Sequence, residues 1–130
     1  THLAAAIANH LKEHSMMHIM FLTVPDLMDY LRMAFDPAAG VSFDDRFQEV
    51  RGADVLVLDD LGTENATSWA KEKLFQIIDY RYVTRRATII TTGKAMEEID
   101  ARIRSRILDD RGCHVFAITT ESYATRRRRR

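Results

Sequence analysis

Hydrophobic and polar residues follow two different patterns along this chain, and the two patterns alternate from one segment to the next. Apolar residues three or four apart predict amphipathic helices, whereas short unbroken apolar runs predict buried strands. In chain order the pattern predicts a helix from residue 1, a strand over 18–23, helices over 23–35 and 42–52, a strand over 55–58, a helix over 67–84, a strand over 87–92, a helix over 96–109 and a strand over 114–118. This alternation favours a parallel α/β sheet with helices on both faces, which is a three-layer fold.

The helical spacing of apolar residues is clearest in the first predicted helix. Leu3, Ile7 and Leu11 lie four residues apart, and Ala4 and Ala8 stand beside them. This spacing predicts that the five side chains form the buried face of the helix.

Two later helices have recognisable start signals. Thr23 precedes Pro25 and Asp26, and Ser42 precedes two acidic residues and an apolar stripe. Hydroxyl side chains at such positions cap the free N–H groups of a helix start, and Pro is tolerated in the first turn. Gly52 is predicted to end the second of these helices.

The run over 55–62 carries the strongest chemical signal. Four consecutive apolar residues are followed by Asp59 and Asp60, and then by a turn at Gly62. Such a run is typical of a strand covered on both faces, and carboxylates at its tip would emerge where α/β sheets bind ligands. The pattern is that of a Walker B strand, in which Asp59 would hold Mg²⁺ and Asp60 would orient water. Any parallel strand can end in Asp, so an ordinary strand end is the alternative.

A helix that begins at Thr1 suggests the last residue of a P-loop. In the motif G-x-x-x-x-G-K-[ST], the terminal hydroxyl coordinates Mg²⁺ at a helix N-terminus. Only the hydroxyl of that motif is present here. The alternative is that Thr1 is an ordinary N-cap.

Several segments together resemble one family. From Thr1 to about Tyr123 the chain resembles the AAA+ ATPase domain of bacterial helicase loaders of the DnaC/DnaI type and of the related IstB transposition ATPases. The order and spacing of the matching segments are more specific than any one of them. These segments are residues 1–4, 24–31, 56–62, 69–82, 88–92 and 102–107.

The resemblance implies a P-loop NTPase fold in which the strand before the P-loop lies in the middle of the sheet, between the strands over 87–92 and 114–118. That strand is absent from this sequence, and we hypothesise that it and the P-loop precede Thr1 in a longer chain. We expect residues 1–125 to form the ATPase core and Arg126 to Arg130 to be a disordered tail. Removing these five arginines leaves fourteen basic residues against nineteen acidic ones, a net charge of −5.

The resemblance also implies roles for individual residues. Thr1 and Asp59 would bind Mg²⁺ together with ATP, and Asp60 would polarise the attacking water. Arg106 stands where relatives place an arginine finger that reaches ATP on a neighbouring subunit, which implies a homo-oligomer with ATP at its interfaces. Surface ion pairing is the alternative for Arg106, and we favour it for Arg102 and Arg104.

One position departs from the family pattern. Relatives usually end the strand after Walker B with an Asn that contacts the γ-phosphate or the lytic water, whereas this chain has Gly93 after Thr91 and Thr92. The Thr92 hydroxyl could replace that contact, or hydrolysis could be weakened while nucleotide binding survives.

The amino-acid composition excludes some classes of protein. The chain has 130 residues, 46% hydrophobic and 29% charged, and contains no apolar run long enough to span a membrane. The single cysteine, Cys113, cannot form an internal disulfide, which fits a reducing cytoplasm and a position in or near the core.

Three functions therefore remain open. The leading one is an ATP-dependent loader that assembles on single-stranded DNA and binds a replicative helicase through a separate N-terminal region. The second is an IstB-type ATPase that assists a transposase. The third is a degenerate nucleotide-binding module kept for interaction, which Gly93 and the incomplete P-loop would favour.

Overall fold

The computed structural model describes residues 1–62 and 67–122. Asn65, which with Gly62 is predicted to form the loop before the helix over 67–84, lies outside these ranges, as does the Arg126 to Arg130 tail. The helices and strands are α1 (His2–His14), β1 (Ile19–Thr23), α2 (Val24–Met33), α3 (Phe43–Gly52), β2 (Val55–Asp59), α4 (Ser68–Val83), β3 (Ala87–Ile90) and α5 (Ala101–Ile107), with short 3-10 turns at Pro37–Ala39 and Met96–Glu98.

The three strands form one parallel sheet in the order β1-β2-β3. In its register Thr23 lies beside Asp59, and Leu58 lies beside Ile90. The carboxyl ends of all three strands therefore meet at one edge, which is the edge where parallel α/β sheets bind ligands.

The two faces of β2 lie in separate cores, because successive side chains of a strand point in opposite directions. Leu56 and Leu58 pack in the larger core with residues of α2, α3, α4 and α5. Val57 packs on the other face with Ala4 and Ala8 of α1. All five residues of β2 are buried. The predicted three-layer parallel fold is thus confirmed.

The predicted helix starts are also confirmed. In each case a hydroxyl accepts a hydrogen bond from the backbone N–H three residues later, which satisfies a donor that the helix itself leaves unpaired. The capping pairs are Thr23 with Asp26, Ser42 with Asp45 and Thr67 with Ala70.

The predicted buried face of α1 is wrong in part. Ala4 and Ala8 are buried as expected, but Leu3 and Ile7 are 61% and 45% exposed, and Leu11 is half-buried. The short alanine side chains allow the helix to approach the sheet closely. Leu3 and Ile7 lie on the more exposed side of α1.

The predicted single helix over 96–109 is interrupted. A 3-10 turn ends at Glu98, and α5 begins only after Asp100. The Asp100 carboxylate accepts hydrogen bonds from the N–H groups of Arg102 and Ile103. Asp competes well for such capping positions, and here the cap starts a new helix instead of continuing the old one.

The predicted strand over 114–118 does not form. These residues have no regular secondary structure, and Val115, Phe116 and Ile118 are more than half exposed. The resemblance placed this strand beside the strand before the P-loop. Within the described residues the sheet offers no such partner, and a strand needs a partner for its backbone hydrogen bonds.

Arg81 of α4 is a buried cation that the sequence pattern did not reveal. Its side chain is 1% exposed. The guanidinium donates to the carbonyl oxygens of Arg51, Ala53 and Ala87 and to the hydroxyl of Thr88, at 2.6 to 2.9 Å. These acceptors lie where α3 ends and where β2 and β3 begin, so Arg81 ties together the edge of the sheet opposite the strand ends.

Within the residues that the structure describes, no helix is both long enough and apolar enough to cross a bilayer.

Candidate functional site

Asp59 is the centre of the candidate site. It is the last residue of β2, and it is 2% exposed. The Thr1 hydroxyl donates to its Oδ2 at 2.8 Å, and the Thr91 hydroxyl donates to its Oδ1 at 2.6 Å. Residues from the start of α1, the end of β2 and the segment after β3 thus meet at one carboxylate.

Thr1 occupies the N-cap position of α1 but makes no capping hydrogen bond with its side chain. Its hydroxyl is directed to Asp59 instead. An ordinary N-cap would satisfy the free N–H groups of the first turn. The Thr1 hydroxyl therefore forms a hydroxyl–carboxylate pair with Asp59 and does not cap the first turn.

The pKa of Asp59 reflects two opposing effects. Burial raises it, because the charged form loses hydration. The hydrogen bonds from the Thr91 and Thr1 hydroxyls lower it, and the net pKa lies below the usual value for Asp. Asp59 is consequently an anion at neutral pH.

Thr91 is the functional residue that sequence reasoning missed. Its hydroxyl donates to Asp59 and accepts from the N–H of Asp60 at 3.0 Å. Its backbone also bonds Leu58 and Leu61, which extends the link between the two strand ends. The available signal was a hydroxyl residue at the carboxyl end of the predicted strand over 87–92, since carboxyl ends of parallel strands meet at one edge.

Asp60 lies directly after the buried strand and is exposed. Its φ of 59° is in the left-handed region, which few residues other than glycine adopt. Asp is among the non-glycine residues that tolerate it, and such conformations cluster at functional sites. The bond from its N–H to Thr91 holds the turn in this shape.

The same loop turns again at Gly62, whose φ is 97°. A Cβ at Gly62 would stand 2.7 Å from Cγ of Lys94. The loop after β2 and the loop after β3 therefore lie in close contact, and only glycine allows this approach.

Thr92 and Gly93 differ in what they offer. The Thr92 hydroxyl donates to the carbonyl of Leu61 at 2.7 Å and accepts from the N–H of Lys94 at 3.0 Å. A phosphate contact would require its proton to leave Leu61, and the role expected for Thr92 stays a prediction. Gly93 is exposed, and a Cβ there would meet no atom within 4 Å.

Arg106 is held apart from this hydrogen-bonded group. It lies on α5, and its Nε donates to Oδ1 of Asp79 on α4 at 2.9 Å. Both side chains are about one-third exposed. Its expected action on a neighbouring subunit stays a prediction.

The donor set around Asp59 fits a magnesium ion with bound phosphates. Mg²⁺ usually takes one or two protein oxygen ligands and completes its shell with water and phosphate oxygens. A carboxylate 2.8 Å from a hydroxyl supplies such a pair. Within the described residues no group of three or more His, Cys, Asp or Glu side chains could hold a metal ion alone.

Comparisons with known proteins agree with this geometry. The family model described as IstB-like ATP binding protein matches residues 1–130. The replicative helicase loader DnaC of Escherichia coli strain K12 is 31% identical over 108 residues, which are 83% of this chain and 43% of that protein. The chain thus spans less than half the length of that relative.

Solved structures are similar as well. The crystal structure of the DnaC helicase loader has a TM-score of 0.70 and 28% identity, over 87% of this chain and 68% of that one. The replication initiator DnaA bound to AMPPCP and single-stranded DNA has a TM-score of 0.70 and 17% identity, over 81% of this chain and 33% of that one. The second likeness is one of fold alone.

The parallel sheet, the buried carboxylate at the tip of its central strand and these structural neighbours define the class, which is the AAA+ type of P-loop NTPase. Within that class the chain belongs to the family of IstB-like ATP-binding proteins.

Proposed function

We propose that this chain is the ATPase core of a replicative helicase loader, with the core over residues 1–125. It binds ATP with Mg²⁺, assembles on single-stranded DNA and delivers a helicase. The observation that carries the nucleotide part is the pair of hydrogen bonds from Thr1 and Thr91 to the buried Asp59. The similarity to DnaC supports the loading part.

Each residue at the strand ends has a defined task in this proposal. Thr1 and Asp59 hold Mg²⁺, which when bound neutralises charge on the phosphates. Thr91 keeps Asp59 ionised and fixes the turn that carries Asp60. Asp60, exposed just beyond the strand, orients the attacking water. Arg106 donates to the transferring phosphate of a neighbouring subunit, a role for which a permanently charged guanidinium is suited.

A surface formed by α2, α3 and α4 supports binding to single-stranded DNA. We call Phe35, Phe43 and Trp69 the aromatic surface. The centroid of the Phe35 ring lies 5.3 Å from that of Phe43, on which it stacks, and 5.8 Å from that of Trp69. Phe35 is 60% exposed. Arg32 lies 5.3 Å from the Trp69 ring, and Lys73 lies 5.4 Å from the Phe43 ring.

Phe35 is the exposed ring of this surface, whereas Phe43 and Trp69 are half-buried and also pack against the larger core. Aromatic rings beside cations are how many proteins bind single strands without sequence preference. Bases stack on the rings, and the cations neutralise phosphates. Bases within a duplex are already stacked on one another, so the aromatic surface favours single-stranded DNA over duplex DNA. This preference is why we place the loader before the transposition ATPase.

The DNA part can be tested with labelled oligonucleotides and the full-length protein in Mg²⁺-ATP. Trp69→Leu should weaken single-strand binding by about tenfold, since one base–aromatic stack is worth about 1 to 3 kcal/mol. Trp69→Phe should keep most of the affinity. Tyr80→Leu, which removes another α4 aromatic beside an arginine, serves as the matched control. Unchanged affinity in Trp69→Leu would contradict the proposed surface.

A transposition ATPase is the second candidate, because the matching family model is the IstB-like one. It predicts assembly on duplex DNA. Equal or tighter binding of duplex in the same titrations would favour it over the loader.

A further inference from the structure

The contact between Arg106 and Asp79 has a specific geometry. Asp79 accepts from Nε, the nitrogen nearest the aliphatic chain of Arg106, at 2.9 Å. One terminal nitrogen, NH1, donates to the hydroxyl of Ser105 at 2.9 Å. In the part of the chain that the structure describes, the other terminal nitrogen, NH2, donates to no acceptor.

Two aromatic rings complete the surroundings of this guanidinium. Its Cζ lies 5.7 Å from the Phe75 ring and 5.6 Å from the Tyr82 ring. The Tyr82 hydroxyl donates to Asp109, which follows α5, so this ring is itself tied across the α4–α5 contact. The base of the guanidinium is therefore fixed by a carboxylate and two rings, while its outer edge keeps donors for a ligand.

We propose that Asp79 is the positioning residue for Arg106, and that it presents the outer edge of the guanidinium to ATP bound by a neighbouring subunit. This inference rests on the proposed function of Arg106. A one-third exposed ion pair contributes little to stability, because water screens it. Its consequence lies instead in orientation: a long flexible side chain that is held before its ligand arrives loses less conformational freedom on binding.

The same two helices provide a matched control. Arg102, one turn before Arg106, pairs with Glu72 of α4 at 3.0 Å. Its Cζ lies 4.2 Å from the same Phe75 ring. This second pair also joins α4 to α5 and is somewhat more exposed. Removing Glu72 therefore perturbs the helix contact without touching Asp79.

Mixing two inactive variants of the full-length protein separates the roles. Arg106→Ala subunits keep an ATP site but lack the finger, and Asp59→Asn subunits lack the site but keep the finger. Mixed assemblies should regain ATP hydrolysis at interfaces that combine the two. Adding Asp79→Ala to the Asp59→Asn subunit should reduce this regained rate by about tenfold or more, because small misplacements of a reacting group are costly.

The position of the second substitution makes the test specific. Asp79→Ala added to the Arg106→Ala subunit should change nothing, since that subunit presents no finger. Glu72→Ala added to the Asp59→Asn subunit should also change nothing. Asp79→Asn, which can still accept from Nε, should restore an intermediate rate.

Two results would overturn the role of Asp79. One is an undiminished rate with Asp79→Ala on the finger subunit, and the other is an equal loss on either subunit, which would indicate a merely structural role. If the two parent variants regain no activity together, the interface ATPase itself is wrong, and the assignment of Asp79 falls with it.

Discussion

Two buried charges lie at opposite edges of the same sheet and differ in how they are satisfied. Asp59 stands at the carboxyl end of β2, and Arg81 packs at the end where β2 and β3 begin. Within the described residues they are the buried charged side chains, at 2% and 1% exposure. The contrast separates a charge that builds the fold from one that is placed for chemistry.

The hydrogen-bond acceptors of the Arg81 guanidinium are mostly fixed in position. Three of its four acceptors are backbone carbonyls, which are fixed by the chain itself. Burial lowers the pKa of Arg81 to about 10, so it remains charged at neutral pH. Four of the five N–H donors of this buried guanidinium are therefore bonded within the fold.

The hydrogen-bond donors to the Asp59 carboxylate are side-chain groups that can rotate away from it. Both of its hydrogen-bond donors are threonine hydroxyls, which rotate and can accept as well as donate. A cation can therefore replace a hydroxyl proton without leaving a buried group unpaired. A magnesium site requires ligand oxygens whose hydrogen bonds can be replaced by bonds to the metal ion in this way.

The largest expected effect comes from removing the structural charge. Arg81→Met should lower the free energy of unfolding by about 3 kcal/mol or more, because it leaves several buried carbonyls without donors. Urea denaturation measures the change. Arg85→Met, an exposed arginine just beyond the same helix, is the control and should stay close to wild type. A comparable loss of stability in Arg81→Met and Arg85→Met would contradict the structural role of the buried arginine.

A smaller effect is expected at the other edge. Thr91→Val deletes the hydroxyl that donates to Asp59 and accepts from Asp60, at a cost of about 1 to 3 kcal/mol in stability. The pKa of Asp59 should rise, because one bond to its charged form is lost. Thr91→Ser keeps the hydroxyl and should preserve both properties. Denaturation and Mg²⁺-ATP titrations measure them, and equal behaviour of Val and Ser would contradict the role of Thr91.

The pH dependence of stability should distinguish the two charges further. The folded pKa of Asp59 is lowered, so its contribution is complete above the pKa of an unfolded Asp and is lost as pH falls through the folded value. Asp59→Asn should flatten this acid-side slope. Arg81 contributes no slope there, since its pKa is about 10. Asp110→Asn, at an exposed position, is the control; an unchanged slope in Asp59→Asn would contradict the assignment.

The smallest effect on stability is expected at Gly93. Gly93→Asn introduces the side chain that relatives carry, into open space and without a left-handed φ. Stability should change by less than about 0.5 kcal/mol, as for other surface substitutions. ATP hydrolysis should rise by about tenfold or more, since a positioned polar donor of this kind is commonly worth that much. Gly93→Ala is the control, and equal rates in both variants would show that Gly93 is not the missing contact.

The sequence predicted what depends on local pattern. The unbroken apolar run over 55–58 indicated a strand buried on both faces, and the hydroxyls of Thr23 and Ser42 marked helix starts. Asp59 and Thr1 were paired only through the resemblance. Their hydrogen bond is a contact between residues far apart in sequence, and local pattern cannot supply it.

The rest required the three-dimensional arrangement. Thr91 meets Asp59 because of how β2 and β3 pair, and the residues lie 32 positions apart. Arg81 looks like a surface residue of an amphipathic helix, since arginine is seldom fully buried. Asp100 could extend a helix or cap one, and only the packing of α5 against α4 decides between the two.

Mg²⁺-dependent ATP binding by the full-length protein tests the central claim most directly, with wild type and Asp59→Asn compared by titration and Asp110→Asn as control. We predict that Mg²⁺ tightens ATP binding in wild type and in the control, and that Asp59→Asn remains folded but loses at least about tenfold of this gain. Equal tightening by Mg²⁺ in Asp59→Asn and wild type would show that the buried carboxylate is not part of a magnesium–nucleotide site.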